Sequence, residues 1–377
     1  VSSLKDLFLL DPTVTFLNHG SFGACPIPVF ETYQRWQREL ERQPVEFFQH
    51  RADPLLDDAR ARLAACFNTP PDRLIFVPNA TVGINQVARA VRLQPGDQIL
   101  TTDHEYGAMD YTWNFICGRT GARYIRHSIP VPVTTPQALA DSFWSAVTPA
   151  TRVIFLSHMT SPTALIFPVG EICRRARAAG ILTIIDGAHV PGHLPLDLTA
   201  LDADIYTGNC HKWLCAPRGS AFLYARPEHH AWLEPLVISW GWVQGASFAQ
   251  QNQWQGTRDL AAYLAVPAAI DFQAEHDWPT VRQRGHALAR EARAVLTAWS
   301  GLEPLSPDSH LWFAQMITLP LPACDPTVLK TRLYDEFRVE APIVTWNNRP
   351  YIRLSFQAYN TAADLDRLMT ALHSLFP

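Results

Sequence analysis

Short apolar, β-branched runs recur along the chain, with longer helical patterns between them. Leu74–Val77, Gln98–Thr102, Arg123–Ser128, Arg152–Ser157, Leu182–Asp186, Asp204–Thr207 and Ser220–Tyr224 read as strands. Between them, Thr81–Arg92 carries apolar residues at Val82, Val87, Ala88 and Val91, and Val169–Ala179 ends at Gly180. Both have helical spacing and helical stop signals. Alternation of this kind predicts an α/β domain on a mostly parallel seven-stranded sheet. After about Gly256 the pattern changes. A long helical region over Leu260–Ser300 is interrupted near Asp277–Pro279. A strand (Met316–Leu319), a helix (Thr327–Phe337), two strands (Ile343–Trp346 and Tyr351–Ser355) and a last helix (Ala362–Leu375) follow. The expected organisation is an N-terminal segment over 1–20, a large α/β domain over 21–258 and a smaller α+β domain over 259–377. Where the first twenty or so residues pack is not readable from the pattern.

Composition narrows the function classes. The 377 residues exceed one small core, and 47% hydrophobic with 18% charged residues is the balance of a soluble globular protein. A net charge of −4 without a basic run argues against nucleic acid as partner. Apolar stretches stay short of the ~18 residues that suggest a membrane span. Seven cysteines, an odd number without CxxC spacing, point to a reducing compartment and a cytoplasmic location. Cys210, His211 and Cys215 fit no defensible metal spacing, so no metal is expected.

The chain holds only three lysines, Lys5, Lys212 and Lys330, among 31 basic residues. Lys212 follows a β-branched run, where arginine could not supply a primary amine able to form a Schiff base. In an open α/β sheet, ligands bind beyond the carboxyl ends of the strands. Polar clusters occupy those positions: Asn79-Ala80-Thr81, His104-Glu105-Tyr106, Ser157-His158 through Ser161, Asp186-Gly187-Ala188-His189, and Lys212. Each alone reads as a helix cap, a surface loop or a solvated charge. Together they offer an anion site at a helix N-terminus, an aromatic lid, a buried carboxylate and a lysine. That set suits pyridoxal phosphate. Nicotinamide is disfavoured, because no GxGxxG turn follows the first strand.

The segments Phe16-Leu-Asn-His-Gly-Ser-Phe-Gly-Ala-Cys-Pro26, Asp103-His-Glu-Tyr106, Asp186-Gly-Ala-His189, Thr207-Gly-Asn-Cys-His-Lys212, Gln255-Gly-Thr-Arg-Asp259 and Ile352-Arg-Leu-Ser-Phe-Gln-Ala-Tyr-Asn360 carry a resemblance over nearly the whole length. The chain resembles class V aminotransferases of the fold type I pyridoxal-phosphate enzymes, within them most closely the isopenicillin N epimerase-like branch. The resemblance implies that Lys212 holds the cofactor, Asp186 pairs with its ring nitrogen, His189 lies near the ring hydroxyl and Tyr106 stacks on the ring. It implies cofactor contacts from Ala80, Thr81, Ser161, Asn209 and His211. Gly256 and Thr257 would reach the phosphate in a neighbouring subunit, hence a homodimer with shared active sites. Arg353 would clamp a substrate carboxylate, assisted by Asn18. Arg353 also alternates with apolar residues on a strand, where an exposed or ion-paired arginine is the plainer but less favoured reading. Trp240 and Trp242 read as pocket lining or core. His19 reads as a second acid/base, or as a capping or core residue.

The implied substrate is a small amino acid or amino-acid-bearing peptide. Epimerisation or racemisation at its α-carbon is the leading expectation, and β-elimination with C–S cleavage is the alternative. Transamination stands third and a non-catalytic binding protein last. Desulfuration needs a mobile cysteine, and Val339–Trp346 carries none.

Overall fold

The structure, a computed structural model, describes residues 4–376. Seven strands form the large sheet: β1 (Leu74–Val77), β2 (Gln98–Thr102), β3 (Arg123–His127), β4 (Thr151–Ser157), β5 (Leu182–Asp186), β6 (Ile205–Asn209) and β7 (Ala221–Ala225). Their order is β1-β7-β6-β5-β4-β2-β3. The pairs from β6 through β3 are parallel, and β7 runs antiparallel between β6 and β1. Because β7 is reversed, residues that precede it arrive at the edge where residues following the other strands emerge. Every residue of β1, β6 and β7 is buried. Both faces are therefore covered, which is why β1 and β7 read as unbroken apolar runs. The edge strand β3 is only partly covered and carries Arg123 and Arg126. Charge there suits an exposed edge.

The helix after β1, Ala80–Ala90, starts one residue earlier and ends two earlier than its spacing predicts. The side-chain oxygen of Asn79 caps it by accepting from the Val82 N–H at 2.9 Å. The predicted long helical region is three helices, Ala261–Leu264, Val266–Glu275 and Trp278–Ser300. The last break falls at Asp277, whose φ of 46° lies in the left-handed region. The helix Ile27–Arg42 was not expected. Its apolar stripe, Val29, Trp36 and Leu40, has helical spacing and packs against the core, Val29 fully buried and the other two partly.

A second sheet holds β8 (Met316–Pro320), β9 (Ile343–Trp346) and β10 (Arg349–Ser355), all antiparallel in the order β9-β10-β8. Asn347 and Asn348, with φ of 46° and 58°, form the two-residue turn between β9 and β10. Asparagine tolerates the two positive φ angles that such a hairpin requires. The N-terminal segment belongs structurally to this region. Thr15–Phe16 pairs parallel with Val339–Glu340, and the Ser355 N–H donates to the Leu17 carbonyl at 2.9 Å. The residues that follow, Asn18 to Phe22, are thereby carried to the carboxyl ends of the large sheet.

Candidate active site

A cavity of about 560 Å³ opens at the carboxyl ends of the large sheet. Nine of the predicted residues line it: Ala80, Thr81, Tyr106, Ser161, Asp186, His189, Asn209, His211 and Lys212. Five different strand-to-helix or strand-to-loop junctions supply them, as open-sheet topology requires. Because β7 is reversed, Arg218 and Gly219 join the same wall.

At its centre, Lys212 Nζ lies 3.3 Å from His189 Nε2. Burial, aided by the Arg353 guanidinium, pushes the Lys212 ammonium down to about 7, against the pull of Asp186. Its amine thus reaches the free-base form near neutral pH. Asp186 is pushed up by burial, although the Ala188 N–H at 2.9 Å and Lys212 both favour its anion. Burial, with Lys212 and Arg353 nearby, holds His189 well below the usual imidazole range, so it is neutral.

The local backbone explains this arrangement. A Cβ on Gly187 would sit 2.1 Å from the Tyr206 hydroxyl, so only glycine fits beside that ring between Asp186 and Ala188. The Tyr206 hydroxyl in turn meets His158 Nδ1 at 3.0 Å. Gly23 has φ +70°, and a Cβ there would sit 2.0 Å from the His211 carbonyl. The N-terminal segment can pass over Lys212 only at such a residue.

These groups fit pyridoxal phosphate. The first turn of the Ala80–Ala90 helix faces the cavity; of its N–H groups, that of Val82 goes to the Asn79 cap and that of Thr81 is left for an anion. Asn209 Oδ1 takes the Ala80 N–H at 2.8 Å, bracing that helix start. A buried carboxylate, a lysine of depressed basicity and a half-exposed tyrosine, Tyr106, complete the set. His211 differs from a simple phosphate donor. Its Nδ1–H donates to the Ser220 carbonyl at 2.9 Å, and burial pushes it down to about 4. Its other nitrogen therefore carries a lone pair, and it donates to an anion only as imidazolium.

Arg353 and Asn18 are not part of the cavity wall. Arg353 is 6% exposed and stands one layer behind it. Its Nη1 donates to the Ser161 carbonyl at 2.7 Å and to Ser161 Oγ at 3.0 Å, and its Nη2 donates to Ser21 Oγ at 2.9 Å. Its buried Nε has no partner among the described residues. With the remaining N–H of Nη2 it forms a two-donor edge of the kind that receives a carboxylate. Asn18 accepts from Ser21 Oγ and donates to Glu340 at 3.2 Å, so it holds Ser21 rather than facing the cavity. The reading of Arg353 as an exposed or ion-paired arginine does not hold.

Gly256 and Thr257 line no part of this chain's cavity. Neither do Trp240 and Trp242, which are 86% and 45% exposed and so lie outside the core as well. His19 is fully buried between Tyr359 and the Lys212 carbonyl, a core position. Sequence reasoning passed over Ser21, Glu105 and Trp213. Ser21 sits within the N-terminal motif but acquires its role only through Arg353, 332 residues away. Glu105 is buried behind the wall, accepting from Thr102, from the Ser157 N–H and from Ser157 Oγ. Trp213, next to Lys212, is fully buried and donates to His189 Nδ1 at 3.4 Å.

Comparison with known proteins agrees with the site. The family described as "Aminotransferase class-V" matches residues 28–368. Isopenicillin N epimerase of Amycolatopsis lactamdurans is 38% identical over 99% of this chain and 98% of its own length. That of Streptomyces clavuligerus is 36% identical, covering 97% and 96%. A probable chloroplastic L-cysteine desulfhydrase of Arabidopsis thaliana is 29% identical, covering 97% and 83%. Among solved structures, the cysteine desulfurase CsdA of Escherichia coli superposes with a TM-score of 0.83 at 24% identity, over 98% of this chain and 96% of that one. This last likeness concerns the fold, which is that of fold type I enzymes. The chain belongs to the class V aminotransferases, enzymes that work with pyridoxal 5'-phosphate.

Proposed function

We propose that this protein removes and returns the α-proton of an amino acid or amino-acid-bearing peptide, inverting that carbon in the manner of an epimerase. The observation that carries the reading is Lys212: a partly buried amine of depressed basicity, 3.3 Å from His189, on a cavity that also holds Asp186. The direction toward epimerisation is supported by the two isopenicillin N epimerases, at 38% and 36% identity over nearly the full length.

When bound, pyridoxal phosphate supplies an electron sink for the charge left at the α-carbon. This chain's residues do the rest. Lys212 would hold the cofactor, and its Nζ is the group placed to take the α-proton of one epimer, or to deliver one when the reaction runs in reverse. Asp186 would present its carboxylate to the ring nitrogen, His189 would serve the ring oxygen and Tyr106 would cover the ring face. Thr81 and Asn209 would hold the phosphate at the helix start formed by Ala80, with Ser161 close by, and His211 would add to them only as imidazolium. Arg353 receives the substrate carboxylate on its free Nε edge while Ser161 and Ser21 hold the guanidinium in plane. Inversion requires a second acid on the opposite face of the substrate.

A homodimer belongs to the same reading. Gly256 and Thr257 would complete the partner's phosphate site, and the apolar side chains of Leu236, Val237, Ile238, Trp240, Trp242 and Val243 are exposed in the single chain. Such a patch is large for a monomer.

β-Elimination is the second reading, favoured by the relatives named as L-cysteine desulfhydrases and a hercynylcysteine sulfoxide lyase. Desulfuration through a cysteine nucleophile is not supported, since no cysteine lines the cavity among the described residues. Incubation of the holoenzyme with amino acids in D2O separates the readings. Epimerase action gives α-deuterium together with inversion. Pyruvate and ammonia without inversion would replace the proposal with the lyase.

A further inference from the structure

The protons around Lys212 can be assigned from donor-only groups. An indole N–H can only donate, so at the Trp213 Nε1 to His189 Nδ1 contact of 3.4 Å the imidazole nitrogen carries the lone pair. A neutral His189 then has its proton on Nε2, the atom 3.3 Å from Lys212 Nζ. A second histidine secures the arrangement. The Gln315 backbone N–H donates to His193 Nε2 at 2.9 Å, so His193 Nδ1 carries the proton and donates to the His189 carbonyl at 3.0 Å. The His193 ring also stacks on the Trp213 indole, with centroids 3.8 Å apart and planes 16° apart.

We propose that Trp213 is a positioning residue: its indole N–H locks His189 in the Nε2–H form, so the imidazole offers Lys212 a hydrogen-bond donor and holds the amine as an acceptor. This rests on the reading of Lys212 as the cofactor lysine. An acceptor amine is the free base, the form that condenses with an aldehyde. An ammonium would face Nε2–H, donor against donor. If His189 moved its proton to Nδ1 to relieve this, that proton would face the indole N–H. The other charged or titratable groups around the pair are Asp186, which favours the ammonium, and Arg353, His193 and His19. Burial and Arg353 act with the lock, pushing Lys212 down to about 7.

The test uses the full chain with 15N-labelled histidine, recorded before and after addition of pyridoxal phosphate. The His189 signals are assigned by their loss in His189→Gln. The expected result without cofactor is His189 as Nε2–H and His193 as Nδ1–H at neutral pH. His189 found as Nδ1–H or as imidazolium overturns the proposal. Trp213→Phe keeps an aromatic ring and removes the N–H. The pH midpoint of cofactor uptake, followed by visible absorbance, is expected to move upward in this variant. An unchanged midpoint in a folded variant also overturns the proposal. Should Trp213→Phe not fold, the tautomer measurement on the unsubstituted chain decides alone. Failure of borohydride to trap cofactor on Lys212 would sink the functional reading while leaving the tautomer result to stand separately.

Discussion

The cavity has two walls of different construction. One is the ends of the large sheet, where Thr81, Asp186, His189, Asn209 and Lys212 each follow or close a strand. Their positions are set by backbone ladders, and most need only one local motif to be in place. The other wall presents Ser21 and Ser161, held from the layer behind by Arg353, and so joins three segments, with 332 residues between Ser21 and Arg353. It exists only because Thr15–Phe16 pairs with Val339–Glu340 and because Thr318, opposite Arg353 on β8, donates to the Pro162 carbonyl at 3.1 Å. The first wall is rigid and suited to chemistry common to a whole family. The second is assembled from side chains, so it can change what is bound without touching that chemistry. Relatives carrying the names epimerase, desulfhydrase and sulfoxide lyase fit this division.

The sharpest way to break the comparison is at the first wall. Lys212→Ala is expected to abolish borohydride-trappable cofactor and to lower turnover by on the order of 10³-fold, the scale of a lost general acid/base. Mass spectrometry of the reduced protein checks it. Neither Lys5 nor Lys330 lies at the cavity, so trapping that persisted would mean the first wall is not where the chemistry occurs. The second wall predicts a different kinetic signature. Arg353→Ala removes charge-assisted hydrogen bonds of about 1.5–3 kcal/mol, so KM for a carboxylate substrate is expected to rise roughly 10- to 100-fold. Turnover at saturation should change much less. Steady-state kinetics decide it: an unchanged KM, or a fall confined to kcat, would erase the distinction between the walls.

The same division governs what the sequence revealed. All seven large-sheet strands were legible, the central ones mainly because strands buried on both faces are rich in apolar and β-branched residues, and the partly covered edge strand Arg123–His127 by its place in the alternation with helices. The polar clusters at their ends were legible because topology says where a strand end must be. Asn209 needed the structure only to show that β6 extends to include it. The second wall was largely illegible. Arg353 was identified by resemblance, but its supports Ser21 and Ser161 act through contacts no local spacing encodes. Asn18 was assigned to substrate and instead braces Ser21, since its amide is spent on Glu340 and Ser21. Trp240 and Trp242 were weighed as pocket or core and are neither in the single chain, where their side chains stay 86% and 45% exposed.

The smallest expected effect sharpens the account of the first wall. Glu105 precedes Tyr106 but lies behind the cavity, accepting from Thr102 Oγ1 at 2.8 Å, the Ser157 N–H at 2.9 Å and Ser157 Oγ at 2.6 Å. Burial raises this carboxyl from 4.5 to about 8, against the hydrogen bonds from Ser157 and Thr102 and with a contribution from Asp186. Below pH 8 the folded protein therefore holds a neutral acid there, and glutamine copies its shape. Glu105→Gln should leave activity near pH 6.5 close to unchanged. The sign at higher pH follows from proton binding. Between about 4.5 and 8 the folded chain keeps a proton that the unfolded chain has lost, so this group's stabilisation falls as pH rises. Glutamine does not titrate, so the melting temperature of the variant relative to the parent should climb from pH 5 to pH 9. A constant or falling difference would mean that Glu105 is ionised at neutral pH. The strand-end wall would then depend on a buried charge pair with Asp186 as well as on backbone geometry.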